Sequence, residues 1–209
     1  AGFLHQKGDT YSRFGKLNEA LESYKEEEEI GEKVNDRFIQ ARASLSLAGT
    51  YNALGKDIEA IETYERSFHQ WDEGNPVERS KCRNEIGFIC WKINRNNKAI
   101  ENYFEAWNIA QTTSDSNENF YLRFQGARAL KGLGNVYERL CKHQDALKNY
   151  EQAKNIFEEI AEEIETRSEL AWTLLGIGSI VIYPVVNSES AVINLEEARD
   201  IFREIDECT

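Results

Sequence analysis

One interval recurs along this 209-residue chain and leaves few folds open. A small residue is followed twelve positions later by alanine at Gly8 and Ala20, Ala48 and Ala60, Gly87 and Ala99, and Gly134 and Ala146. Four residues beyond each alanine stands a tyrosine, Tyr24, Tyr64, Tyr103 or Tyr150. In three units another, Tyr11, Tyr51 or Tyr137, follows the small position by three. Residues three and four apart share one face of a helix, so each unit reads as two helices joined by a short turn. A fifth unit is degenerate: "WTLLG" at 172–176, then Ala191, Leu195 and Ala198, with three extra residues around Pro184. The markers divide the chain into 1–40, 41–79, 80–126, 127–168 and 169–209, a single domain of five repeats.

Composition agrees with an all-α chain: two prolines, 30% charged residues, and an abundance of Glu, Lys, Ala and Leu, which favour helix. Small residues let antiparallel helices approach closely, so Gly8, Ala48, Gly87 and Gly134 are expected against the alanine of the next helix, with the aromatics filling the wedge between hairpins. No such hairpin buries its apolar face alone, and neighbours must stack into a solenoid. The fourth unit, through Leu133, Gly134, Tyr137, Ala146, Tyr150 and Ala153, and the fifth, through Trp172, Leu175 and Gly176, resemble the tetratricopeptide repeat (TPR) family, whose signature is W-x2-L-G-x2-Y, then A-x3-F, then A. The resemblance spans the whole chain. It implies a right-handed superhelical solenoid of five hairpins, helix A of each lining the concave side and helix B the convex side. The repeats, at 39 to 47 residues, exceed the family's usual length of about 34, and the usual repeat-ending proline is missing. Longer repeats with "LGNVY"-type helices are similar to those of Pins-type polarity adaptors and Tonsoku-like scaffolds.

Other classes find little support. The sequence lacks Met and opens inside a helical pattern at Ala1, so a piece of a longer protein is expected. No signal peptide is read at its start. The longest apolar stretch, "LAWTLLGIGSIVIYPVV" at 170–186, is interrupted by Thr, Ser, Gly and Pro184 and falls short of a membrane span; a soluble protein of the cytoplasm or nucleus is expected. Cys82, Cys90, Cys141 and Cys208 form no CxxC pair and have no histidine at ligand spacing, which reads as reduced structural thiols and no metal. A formal net charge of −12 disfavours nucleic acid and anionic membranes, both of which reward a basic face. His5, His69 and His143 lie in different repeats, the last two expected on the surface, and no nucleophile stands at catalytic spacing. "LGIGS" at 175–179 lacks the lysine and strand of a phosphate loop, so its glycines read as close-packing positions. No enzyme activity and no cofactor are expected. "WDEGNPVER" at 71–79 and "TTSDSNEN" at 112–119 read as inter-repeat loops.

The family resemblance implies that positions two, five, nine, twelve and thirteen of helix A face the groove, counting Gly8 and its equivalents as position eight. The candidate peptide-binding set is Arg13, Arg42, Asn52, Lys81, Asn84, Phe88, Trp91, Lys92, Arg128, Lys131, Asn135 and Arg139. This is a net positive strip in an acidic protein, while the runs at 26–29 and 158–165 read as a solvated convex face. Arginine forks hold carboxylates at two points, asparagines bond a peptide backbone, and Phe88 with Trp91 offers an apolar anchor. The expected function is capture of an acidic or mixed peptide segment of a partner protein, as a module of a larger adaptor or scaffold. Reversing the charge of Arg128 and Lys131 is expected to abolish capture and leave helicity unchanged. Lys131 with Asn135 begins the pattern by which some family members clamp a chaperone's C-terminus, but Leu174 stands where the next Asn belongs, which disfavours that ligand. In the last repeat Thr173, Ile177, Ile180 and Val181 read as an apolar inner surface, open to self-association. The alternative function is accordingly self-association or an intramolecular regulatory arm of a larger protein or enzyme.

Overall fold

The computed structural model describes residues 1–112, 119–161, 163–181 and 188–207. Among them lie ten helices and no strand: α1 (Gly2–Arg13), α2 (Leu17–Lys33), α3 (Arg37–Ala53), α4 (Asp57–Gln70), α5 (Pro76–Lys92), α6 (Asn96–Thr112), α7 (Phe120–Arg139), α8 (His143–Glu159), α9 (Ile164–Val181) and α10 (Ser188–Glu207). In the first four hairpins the turn after the odd-numbered helix contains one residue with left-handed backbone, Gly15, Gly55, Asn94 or Cys141, at φ 70, 73, 60 and 57°. The N–H groups of Lys16, Lys56, Arg95 and Lys142 then donate to the carbonyls of Tyr11, Tyr51, Cys90 and Tyr137 at 2.8–2.9 Å, closing the last turn. Starts are equally local. The Asp36 carboxylate accepts from the Ile39 N–H at 3.1 Å and the Asn119 amide oxygen from the Leu122 N–H at 3.0 Å, and Pro76 occupies the first turn of α5, where its missing N–H costs nothing.

Helices α3, α5, α7 and α9 begin ahead of the boundaries that the markers place at 41, 80, 127 and 169. The loop expected at 71–79 is shorter, since Trp71 is buried and helix resumes at Pro76. Of the loop expected at 112–119, residues 113–118 lie outside the described residues, as do Pro184 and Cys208.

The alanines of the pattern, Ala20, Ala60, Ala99 and Ala146, are fully buried. The glycines do something other than face them. A Cβ on Gly87 would come within 2.9 Å of the Tyr103 ring, and one on Gly134 within 2.6 Å of the Tyr150 ring. Each glycine is the seat of its own hairpin's tyrosine. The residue two places earlier faces the tyrosine of the preceding hairpin: Gly132 lies against the Tyr103 ring and Gly176 against the Tyr150 ring, Ser46 stands near the Tyr24 hydroxyl, and the charge of Glu85 bears on Tyr64.

This geometry corrects the fifth repeat. Gly178, not Gly176, seats that hairpin's own side chain, Leu195, at 2.7 Å from an added Cβ. The repeat is therefore read two residues later than its markers suggested. Thr173, Ile177 and Ile180 are buried, with Ile177 and Ile180 packed on Tyr150; they form no open apolar surface. The side chain of Val181 lies outside the described set. Position two of this repeat becomes Trp172 and position nine Ser179, both exposed.

The acidic runs divide. Most of 158–165 is exposed, whereas Glu27 of the 26–29 run is fully buried and Glu28 is half-buried. Glu27 takes hydrogen bonds from His5 Nδ1 at 2.9 Å and Arg42 Nε at 3.1 Å, while Glu28 accepts from Ser44 and pairs with Arg66 at 2.9 Å.

Two outcomes test this packing. Alanine is worth about 1 kcal/mol more than glycine inside a helix, and the Gly49→Ala Cβ meets only ordinary contact at 3.5 Å, so that variant should unfold at the same temperature or higher. Gly132→Ala should lower the thermal midpoint instead, because overpacking costs about 1–3 kcal/mol. Burial pushes the Cys82 thiol up to about 12 and raises Cys90, while Cys141 is exposed. In a Cys208→Ser background, iodoacetamide at pH 8 should therefore modify Cys141 in the native protein and reach Cys82 and Cys90 only after denaturation.

Candidate functional site

The odd-numbered helices of the last three hairpins touch: α7 contacts both α5 and α9. With α7 as floor and the other two as walls, they enclose a groove of about 450 Å³. Its lining brings together six of the residues expected from sequence, Asn84, Phe88, Trp91, Arg128, Lys131 and Asn135, and adds Tyr103, Gly132, Glu165, Ser168, Glu169 and Trp172. Phe88 is 40% and Trp172 57% exposed. Phe88 lies 5.9 Å from the Trp91 ring, and Trp172 packs edge-on against Phe202 at 5.3 Å.

The basic residues are largely spoken for. Arg128 pairs with Glu85 at 3.1 Å and with Glu169 at 3.3 Å, and Lys131 pairs with the same Glu169. Burial pulls the Arg128 guanidinium down, but Glu85 and Glu169 more than offset it and hold its pKa above the ordinary value. Lys92 reaches back to Asp57 at 2.5 Å and to the Asn52 amide oxygen at 2.9 Å, and Arg42 is bound to Glu27. Arg139 lies over the Trp91 ring at 4.3 Å, donates to the Trp91 carbonyl and reaches the Asn94 amide oxygen at 3.0 Å. These bonds join different helices, and none is an i,i+4 pair within one helix. The strip is thus not a run of free positive charge. Arg13 and Lys81 alone of its cations are exposed without an ion-pair or hydrogen-bond partner among the described residues.

The asparagines are similarly engaged. Asn84 is buried and donates to the Gln125 carbonyl at 2.9 Å and its side-chain oxygen at 3.0 Å, leaving its own Oδ1 unpartnered. Asn135 accepts from the Tyr150 hydroxyl at 2.6 Å, which also donates to Glu138 at 2.8 Å. Arg13, Arg42, Asn52, Lys92 and Arg139 lie outside the lining of the groove of α5, α7 and α9, and Lys81 lines an adjoining cavity. Trp172 was missed because the fifth repeat was placed two residues early, and Glu165 and Glu169 because they precede the positions counted. The doubled glycines of Gly132 with Gly134 and Gly176 with Gly178 are the signal that would have aligned it. Among the described residues no group of His, Cys, Asp and Glu is arranged to hold a metal ion, and no helix is long and apolar enough to cross a membrane.

Because Arg128 and Lys131 tie α7 to α5 and α9, reversing both charges acts on the fold as well as on binding. Arg128→Glu with Lys131→Glu should lower the thermal midpoint by about 5–10 °C, on the scale of 3 kcal/mol for breaking partly buried pairs. Adding Glu169→Lys should recover part of the loss in the same melting experiment.

Residues 1–26 match the tetratricopeptide repeat family. No curated protein gives a significant sequence match. Among solved structures, the apo form of RapI is similar at 19% identity and TM-score 0.82, over 98% of this chain and 71% of its own. BtubC (BKLC) from P. vanneervenii is 19% identical with TM-score 0.79, over 95% of this chain and 78% of its own. A Rap protein complexed with Competence and Sporulation Factor is 17% identical with TM-score 0.74, over 98% of this chain and 54% of its own. The first hairpin thus carries a tetratricopeptide repeat, and the chain as a whole has the fold of a tetratricopeptide-like solenoid.

Proposed function

We propose that the chain is a non-catalytic protein-interaction module, one domain over 1–209, that binds a peptide segment of a partner protein in the groove of α5, α7 and α9. The observation that carries this reading is a solvent-open groove with Phe88, Trp91 and Trp172 on its lining beside charges of both signs. Large aromatics left partly in water beside a concave surface are where binding energy concentrates. The ion pairs favour a peptide of mixed charge over an acidic one, since an added carboxylate must compete with Glu85 and Glu169 for the same cations. A solved relative of the same fold is a Rap protein in complex with Competence and Sporulation Factor, which supports ligand capture by this architecture. An adaptor or scaffold role in the cytoplasm or nucleus suits such a module, and the long repeats favour the likeness to Pins-type and Tonsoku-like proteins.

Self-association, the alternative, would draw on exposed apolar side chains of the last hairpin such as Ile164 of α9 and Val192 and Ile193 of α10; a concentration-independent monomer in light scattering removes it. The main reading is tested by panning a random peptide library displayed on phage against the chain. Enriched clones should bind Trp172→Ala at least about tenfold more weakly, equivalent to 1.4 kcal/mol, with the circular dichroism spectrum unchanged. Clones indifferent to that change would place binding elsewhere.

A further inference from the structure

The groove does not end at Arg128. A second cavity, of about 290 Å³, adjoins it along α7 and shares Arg128 and Glu165 with it. Its apolar lining includes Leu45 of α3, Val77 of α5, and Phe120, Tyr121 and Phe124 of α7; Tyr121 is 61% exposed. Lys81 stands on its α5 wall, exposed and without a partner among the described residues, and Glu165 stands on the α9 wall in the same condition. The floor is continuous: α7 supplies residues to the second cavity from Phe120 to Arg128 and to the first from Arg128 to Asn135. At about 1.5 Å per residue the trough is some 22 Å long, and the two stretches of its floor are centred about 11 Å apart.

We infer that the occupant is a single peptide in extended conformation lying along α7, with two apolar side chains about four residues apart, one in each cavity. This rests on the groove being the peptide site proposed above. The spacing follows from the 3.3 Å rise of an extended chain, which returns side chains to the same face every second residue; four residues cover about 13 Å, the same-face interval nearest to the separation of the cavities. Extension follows from the size of the trough: volumes of about 450 and 290 Å³ spread over its length leave a channel far narrower than the roughly 10–12 Å diameter of a helix with its side chains, and wide enough for an extended chain. Charge complementarity sets the rest: an acidic side chain for Lys81 on one wall and a basic one for Glu165 on the other.

The test uses the phage-displayed random library on the full chain, followed by synthetic peptides made from the enriched sequences. Enriched sequences should carry two apolar residues with three between them. Tyr121→Ala should abolish selection at one of the two positions and Trp172→Ala at the other, each weakening a synthetic peptide by about tenfold. Proline placed in turn at the three intervening positions should keep binding at two or more of them, because proline suits extended backbone and breaks helix. Loss at all three would overturn the extended conformation. Peptides that depend on Trp172 yet ignore Tyr121 would overturn the second cavity while leaving the groove in place. Clones indifferent to both variants would remove the groove reading itself.

Discussion

Every hairpin in this solenoid is held to the next through a tyrosine ring. Tyr103 is wedged between Gly87 of its own hairpin and Gly132 of the next, and Tyr150 between Gly134 and Gly176. The ring must meet backbone on both sides, and only glycine brings backbone that close to it in these two repeats. Burial holds the hydroxyls of Tyr24, Tyr64 and Tyr150 well above their ordinary pKa, so the rings stay neutral wherever the fold survives. Burying an aromatic of this size removes roughly 150–250 Å² from water, which at about 25 cal/mol per Å² outweighs any one ion pair of the concave face. The contact also fixes angle: the distance from a flat ring to a helix backbone on each side sets how far successive hairpins splay.

That spacing decides where the chain can be open. Where glycine admits the ring fully, in hairpins three to five, α7 reaches both α5 and α9, and the trough forms along their contact. Charge then completes what packing begins. Glu169 holds Arg128 and Lys131 together, and Glu85 takes the other side of Arg128. The same side chains are therefore joints between repeats and walls of the cavity. A ligand that drew Arg128 away from its carboxylates would loosen the inter-repeat joint, so in the proposed binding mode electrostatic recognition falls to Lys81 and Glu165, which have no ion-pair partner among the described residues.

Repeat number and helix pairing were legible because they follow from local periodicity: Ala20, Ala60, Ala99 and Ala146 announce buried helix crossings at a fixed interval, whereas the choice of inner-face positions came from the family resemblance. Six groove residues followed from counting along helix A. The fate of the charges was not legible, since Arg42 meets Glu27 and Lys92 meets Asp57 across helices far apart in sequence, and no local pattern gives those distances. The fifth repeat misled for a narrower reason. Its seated side chain is Leu195 instead of tyrosine, and with two glycines available the first was taken for the seat. A shift of two residues turns a helix by more than half a turn, which put the buried Leu170 at position two in place of Trp172 and exchanged a groove wall for a core.

The placement of Trp172 shows how a solenoid acquires a site without new architecture. In the second, third and fourth repeats position two carries Arg42, Lys81 and Arg128, long cations that snorkel along apolar surface and end in a charge. At the same position the fifth repeat presents an indole. The exchange leaves the ring seats untouched, since the Trp172 side chain stays largely exposed while Gly176 meets Tyr150 and Gly178 meets Leu195, so the repeat retains its packing while position two changes from a cation to an aromatic. Opposite, Arg139 covers the Trp91 ring and bonds its carbonyl, keeping that aromatic half-buried and fixed. One wall is thus an aromatic capped by a cation of the neighbouring helix, and the other an aromatic that rests edge-on against Phe202 with more than half its surface open. In the proposed binding mode the open face of Trp172 is the one left to meet a side chain of the entering peptide, because the face of Trp91 is already taken by Arg139.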